Sequence, residues 1–410
     1  MIVAGWDVVV IGAGAAGLMA AIHAAERGRT TLLLEKNRKP GVKILMSGGT
    51  RCNITHDCDN RGIVQAYGPQ GKFLHSALAA LSVQQTIAFF EVEGVATKIE
   101  ETGKVFPVSN KALDVLDALL RRLKRSGATL ALEEPVTNVH KPGDHFEIVT
   151  PKRLLTCPRV ILTSGGQSYP GSGTRGDGYA WAAQFGHTIV APKPALVPLT
   201  VQATWVGELR GVTLADVGIR VLEQGKPLAA RRGGFLFAHF GLSGPAPLDV
   251  SKAVSRHPNP QSLALELDFL PSRPEPEFDD FLRTESLASG KKQLAVVLSD
   301  LLPRRLCDTL LTLCGQPADR KATGLSKADR QTLVQAVKRL RVPLRGTLGF
   351  EKAEVTSGGV SLDEVDSRTM ESKLCPGLHL AGEVLDLDGP IGGYNFQAAW
   401  STGWLAGRSV

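Results

Sequence analysis

A chain of 410 residues with 43% hydrophobic content fits two or three domains and can bury a core without disulfide staples. No stretch approaches the ~18 apolar residues of a membrane span, and the first strand begins too near the N-terminus to leave room for a signal peptide. Six scattered cysteines without a CxxC set aside zinc and thioredoxin-like chemistry and imply reduced thiols in a cytoplasm. The net charge of +7 is concentrated, with ten Lys/Arg against four Asp over residues 300–345. That segment reads as a solvated helical surface or as a patch for an acidic ligand or nucleic acid.

Residues 7–35 organise the chain. Val8, Val9, Val10 and Ile11 run without alternation, the mark of a strand covered on both faces. Gly12, Ala13, Gly14, Ala16 and Gly17 form a glycine turn, Ala15 to Arg27 a helix closed by Gly28, and Thr30 to Leu34 a second strand ending on Glu35. Strand, glycine turn, helix, strand and acid make a dinucleotide-binding unit, in which the helix N-terminus takes a pyrophosphate and the acid takes the ribose hydroxyls. Glu35 lies 18 residues past Gly17, close to the ~20 expected of that acid.

Residues 36–53 follow as a polar, glycine-bearing loop that passes over the pyrophosphate and reaches the reactive ring. Residues 72–93 read as one helix, Ser109 as the cap of the helix after it, and 136–140, 146–150 and 153–156 as a meander turning at Pro142-Gly143-Asp144. Such a meander inside a doubly wound sheet points to FAD rather than NAD. Residues 160–166 return as a buried strand, and Asp177 is placed to cap the helix that follows. Beyond Pro192 short strands suggest a small barrel or sandwich, residues 277–340 a helical segment with Ser299 and Ser326 as caps, and 378–383 a strand ending at a glycine and an acid before a closing helix from Tyr394. The nucleotide fold is therefore split by an insertion.

Four stretches converge at strand ends: the fingerprint, the 43–53 loop, the 160–166 strand, and the C-terminal GEVLDLDGPIGGYN. With AHFGLSGP (238–245), TSGGV (356–360) and TMESK (369–373), this set resembles the bacterial flavoprotein family that includes aminoacetone oxidase and 3-dehydro-bile-acid reductase. Thr50 and Ala238 depart from its pattern. The resemblance implies an α/β fold, a split Rossmann-like FAD domain of the glutathione-reductase type with an inserted β-barrel plus helical domain. Its expected parts are 1–191, an insert over 192–355 (barrel about 192–270 and 341–355, helices about 277–340), and 356–410.

Match and chemistry together assign expected roles. Gly12, Ala13, Gly14, Ala16 and Gly17 would line the pyrophosphate, Glu35 the adenosine ribose and Lys36 its border. Lys43, Ser47, Gly48, Gly49, Arg51 and Cys52 would lie along the flavin half. Val136, on an edge strand, would offer its backbone to adenine. Ser164 and Gly165 would close over the nucleotide, and Gly382, Glu383, Gly393, Tyr394 and Asn395 would hold the ribityl chain and ring. His239 is the candidate for proton transfer, because imidazole titrates near neutrality. The expected function is an FAD-dependent oxidoreductase on an unidentified small molecule, either an NAD(P)H-linked reductase or a small-amine oxidase. Without a second glycine fingerprint, NAD(P)H would visit the flavin transiently. The alternatives are a nucleic-acid-associated flavoprotein, which lacks the interleaved aromatics of base stacking, and a flavin-bound regulator without turnover.

Overall fold

Strand β1 (Val8–Ile11) is buried at every position, as its unbroken apolar run requires. Helix α1 (Ala15–Glu26) carries the chain over to β2 (Thr31–Leu34), which pairs parallel with β1, Val8 opposite Thr31. Helix α2 (Val42–Thr50) occupies half of the 36–53 stretch expected to be a loop, and it breaks at Ser47–Gly49, where ψ of Ser47 reaches 151° and both glycines turn left-handed. Strand β3 (Thr129–Ala131) extends the sheet beyond β2, while β4 (Arg159–Leu162) pairs parallel with the other edge of β1. Helix α3 (Asp177–Gln184) follows, and after the insertion β5 (Leu378–Leu380) joins β4 in parallel and helix α4 (Tyr394–Ser409) closes the chain.

The sheet order is β5-β4-β1-β2-β3. Strand succession reverses at β1, so the carboxyl end of β1 is the switch-point crevice of a doubly wound fold. The computed structural model describes residues 2–3, 5–288 and 291–410, in two compact units: Met1–Lys193 with Glu354–Val410, and Pro194–Ala353.

In the first unit the meander Asn138–His140, Phe146–Val149, Leu154–Cys157 is antiparallel, and Ile2–Val3, an unexpected strand, pairs parallel with Leu154 and Leu155. Val136 lies just before the edge strand rather than in it. The expected helix over 72–93 is broken: a 3-10 turn Gly68–Leu74 and a short helix His75–Ala80 precede Val83–Val92, which Ser82 and Gln85 open with a reciprocal capping box. Lys111, not Ser109, is the N-cap of the helix Ala112–Ser126.

Buried Glu134 anchors the meander: its carboxylate accepts from Arg153 at 2.8 and 3.0 Å and from the Thr150 hydroxyl at 3.1 Å. Burial alone would raise this carboxyl, but the Arg153 and Thr150 hydrogen bonds and the nearby cations hold it below the ordinary 4.5. A depressed carboxyl stabilises the fold fully above its unfolded value and loses that contribution as pH falls through the lower folded value. Glu134→Gln is thus expected to cost about 2 kcal/mol near neutrality. Its thermal-melting deficit should shrink as pH is lowered past 4.5; a deficit independent of pH would contradict the ion pair.

The second unit is built on a closed six-stranded barrel: Leu199–Val201, Gly241–Ser243, Lys226–Ala238, Thr213–Glu223, Leu263–Asp268 and Leu340–Thr347 in spatial order. Leu263–Asp268 buries alternate residues, the period of two that fills a barrel interior. Helices Glu275–Ala288, Arg304–Leu313 and Lys327–Lys338 pack Phe278, Leu282, Leu306, Leu310, Leu333 and Val337 into the same core. Ser326 caps the last of these with Asp329, whereas Ser299 ends the helix Leu294–Leu298.

The basic 300–345 segment is largely answered by acids. Arg330 pairs with Asp279 (2.9 Å), Lys338 with Asp268 (2.8 Å), Arg339 with Glu275 (2.5 Å) and Arg341 with Glu266 (3.8 Å), and Arg304 and Arg320 pair within the segment. Three acids outside it are thus spent on its cations, and a fourth, Glu266, is shared with Arg220 at 2.9 Å. Among the described residues no single helix is long and apolar enough to cross a membrane.

Candidate active site

The crevice at the end of β1 is shaped by absent side chains. A Cβ on Gly17 would sit 1.8 Å from the Gly12 carbonyl oxygen, so only glycine lets α1 start this close to the strand. Gly12, at φ +105°, lies against the backbone of Thr163, whose hydroxyl donates to the carbonyls of Ile11 (3.0 Å) and Gly12 (2.9 Å). Gly14 opens α1 with no side-chain cap, and nothing stands within 4 Å of its would-be Cβ. Uncapped amides, partial positive charge and open space suit a phosphate.

Glu35 accepts from the amides of Ala13 and Asn37, each at 2.9 Å, which fixes its carboxylate beside the turn. The Ala13 amide is thereby spoken for. Lys36 reaches Asp177 at 2.5 Å, so Asp177, the first residue of α3, serves an ion pair rather than capping its own helix. The Asn37 amide nitrogen donates to the Ser172 carbonyl at 2.9 Å, a second tie between the two segments. Ser164 has a buried hydroxyl with no partner and abuts Gly178; Gly165, at φ +76°, packs on Thr174.

Farther along, the Gly41 amide donates to Ala13 (2.8 Å), setting α2 directly after the turn. From its first turn Lys43 reaches Glu383 at 2.6 Å and Ser168 at 2.5 Å. Gly382, beside Glu383, presses on Ala16. Gly393, at φ +100°, opens α4 without a side-chain cap and packs on the Thr55 backbone. Gly403 and Gly407 of α4 touch Ala16 and Ala20 of α1, the same four-residue step on each, so the helices run side by side and parallel. The N-terminus of α4 then stands about 12 Å beyond that of α1, eight residues at 1.5 Å each.

Two uncapped helix N-termini at that separation fit FAD, with its anionic pyrophosphate and, a ribityl chain away, an electron-rich carbonyl-bearing ring. His56 stacks on Tyr394 with centroids 4.5 Å apart and its Nδ1 meets the Gly392 carbonyl at 3.0 Å, a contact no sequence signal marked.

Other expected residues have structural employment. Arg51 pairs with Glu100 at 2.6 Å and lies 3.9 Å over the Phe106 ring. Asn395 ties both sides of its amide to Gly389 at 2.9 Å. Cys52 is fully buried, and that burial pushes its thiol up to about 12, so it stays protonated. Ser47, Gly48 and Gly49 form the break in α2, where Gly48 packs on Asn53 and Phe106. His239 lies in the other unit, exposed in the turn between the strands ending at Ala238 and starting at Gly241, its ring edge-on to Phe240 at 4.9 Å. Ser168 and Thr356, both fully buried, were missed; TSGGV flagged the second as part of a motif, and nothing flagged the first.

Sheet order, glycine turn, the acid at the end of β2 and the second helix N-terminus define a Rossmann-type FAD-dependent oxidoreductase. More narrowly, the chain belongs to the HI0933-like family: the family model described as "HI0933-like protein Rossmann domain" matches residues 6–409.

The chain is 34% identical over 405 residues to the ribosomal RNA dihydrouridine synthase of Escherichia coli strain K12, covering 99% of this chain and 98% of that protein. It is 31% identical over 404 residues to the 3-dehydro-bile acid delta(4,6)-reductase of Clostridium scindens, covering 98% of each. In fold it is similar to the 3-ketosteroid-delta4-(5alpha)-dehydrogenase of Rhodococcus jostii RHA1, with a TM-score of 0.54 at 16% identity, covering 98% of this chain and 96% of that one.

Proposed function

We propose that this protein saturates a carbon–carbon double bond conjugated to a carbonyl group, with NAD(P)H as the transient source of electrons. The observation that carries this reading is that two full-length relatives with unlike substrates are named for the same change. Turning uridine into dihydrouridine adds two hydrogens across a double bond conjugated to the pyrimidine carbonyl, and a delta(4,6)-reductase of a 3-dehydro steroid acts on double bonds conjugated to the 3-ketone. Bound FAD supplies hydride at the redox end of such a cradle.

The chain's own tasks are then to hold the diphosphate on α1, to keep the ring against α4, and to furnish one proton. We assign Gly12, Gly14, Ala16 and Gly17 to the diphosphate and Glu35 with Lys36 to the ribose. Lys43, Glu383, Gly393 and Tyr394 border the ring, Val136 lies on the adenine side, and His239 supplies the proton. A small conjugated ketone is the first choice of substrate, because the basic 300–345 segment spends most of its charge on intramolecular acids. Uridine within ribosomal RNA is the second, favoured by the 34% identity to the Escherichia coli protein.

The test is anaerobic. The purified yellow protein should bleach with NADPH or NADH, then regain its colour on addition of a conjugated cyclic enone, a steroid dienone or a uridine-containing ribosomal RNA fragment. His239→Gln should slow only the second phase. Recolouring by none of the three, with bleaching by a small amine instead, would replace the reductase reading with an amine oxidase.

A further inference from the structure

Glu383 accepts from three donors. Its Oε2 accepts from the Lys43 ammonium (2.6 Å); its Oε1 accepts from the Ser168 hydroxyl (2.5 Å) and the Thr356 amide (2.8 Å). The Thr356 hydroxyl in turn accepts from the amides of Gln167 (2.8 Å) and Ser168 (2.9 Å), so the strand Val355–Val360 and the loop after β4 are knitted around one carboxylate. Ser168 bridges the two charges, accepting from Lys43 at 2.5 Å while donating to Glu383. Ser168 and Thr356 are fully buried, whereas the Lys43 and Glu383 side chains keep 28% and 20% of their exposure. Lys43 has three ammonium hydrogens, and two are accounted for, leaving one donor uncommitted among the described residues.

This cluster lies next to Ala16, through Gly382, and next to the start of α2, which hangs from Ala13. It is thus beside the diphosphate turn in the same unit that carries the uncapped end of α4. A surface ion pair needs no buried hydroxyl and no dedicated amide; fixing both charges this firmly makes sense where their position matters.

We propose that Lys43 and Glu383 are an opposed charge pair that sets the reduction potential of the bound flavin, Lys43 raising it and Glu383 lowering it, with Ser168 as the positioning residue that holds them together. The proposal rests on the reading that FAD is the cofactor, not on any substrate. Two-electron reduction leaves the ring more negative, so a nearby cation favours the reduced form and a nearby carboxylate opposes it.

The test is the midpoint potential of the FAD-loaded protein, read against a reference dye at neutral pH without substrate. Lys43→Met should shift the two-electron equilibrium at least tenfold toward the oxidised form, about 30 mV. Glu383→Gln should shift it at least tenfold the other way. Ser168→Ala, which keeps both charges and their direct contact but removes the hydroxyl that fixes the cation, should fall between wild type and Lys43→Met. Mere loosening of the site would move both charge variants in one direction, so shifts of equal sign, or none beyond threefold, overturn the proposal. If Lys43→Met does not retain FAD, Glu383→Gln decides alone, a rise supporting and no rise overturning. A wild-type protein that stays colourless with added FAD defeats the cofactor reading itself, an outcome distinct from coloured variants of unchanged potential.

Discussion

Gly17→Ala will give a protein without the visible flavin band, in which FAD added back binds at least a hundredfold more weakly than to wild type. The introduced methyl would stand 1.8 Å from the Gly12 carbonyl oxygen and 2.6 Å from the Thr163 hydroxyl. Neither neighbour can retreat. Gly12 is backed by the Thr163 backbone, and the Thr163 hydroxyl is tied to two carbonyls. Helix α1 must therefore withdraw, and overpacking of this kind costs about 1–3 kcal/mol of stability.

The larger loss is in aim. Amides that meet a charged phosphate contribute about 1.5–3 kcal/mol each, and misdirecting two removes at least two decades of affinity at ~1.4 kcal/mol per decade. Gly14→Ala is the control that separates packing from binding. Its methyl meets no atom within 4 Å, so the FAD-free variant should melt with FAD-stripped wild type while FAD binding is still lost. Absorbance per protein and differential scanning of both variants decide the matter. A Gly14→Ala protein that keeps its FAD would remove the diphosphate from that turn.

Why some of this was readable in the sequence and some was not follows from the range of each signal. Gly12, Gly14, Gly17 and Glu35 act through local backbone geometry at fixed spacing, so a string of letters carries them. The meander was readable for the same reason, since Gly143 and its neighbours set a turn between alternating residues. The break near Leu81 was not, because Leu74, Leu78 and Leu81 keep helical spacing across it and periodicity sums over a window.

Ser168 left no trace because a buried hydroxyl gains its role from partners far along the chain, here Glu383, 215 positions beyond Ser168. The basic segment left both of its readings open for the same reason: its formal charge is a local count, but Asp268, Glu275 and Asp279, which pair with it, come from an earlier strand and helix.

Gln397→Leu should produce a large loss of stability in the first unit, since Gln397 joins α4 to Thr55, Leu81 and Thr86. Fully buried, it accepts from the Thr55 hydroxyl at 2.6 Å and places its amide nitrogen 2.9 Å from Thr86 and Ser401 and 3.3 Å from the Leu81 carbonyl. Leucine has the right bulk but strands the Thr55 hydroxyl away from water, at about 1–3 kcal/mol, and takes a donor from the Thr86 hydroxyl, which keeps its bond to the Ser82 carbonyl, at about 1 kcal/mol more. Melting should fall by roughly 6–12 °C if the total is near 3 kcal/mol, given ~2–4 °C per kcal/mol for a unit of this size.

The damage also reaches the cofactor by a stated route. Thr55 backs Gly393 at the opening of α4, and His56, the next residue, holds the Gly392 carbonyl. A shifted flavin absorbance envelope should therefore accompany the lower melting temperature, whereas Gly17→Ala abolishes the band. Gln397→Leu melting within a degree of wild type would mean that the Thr55 hydroxyl finds another partner and that α4 is positioned by its glycine contacts with α1 alone.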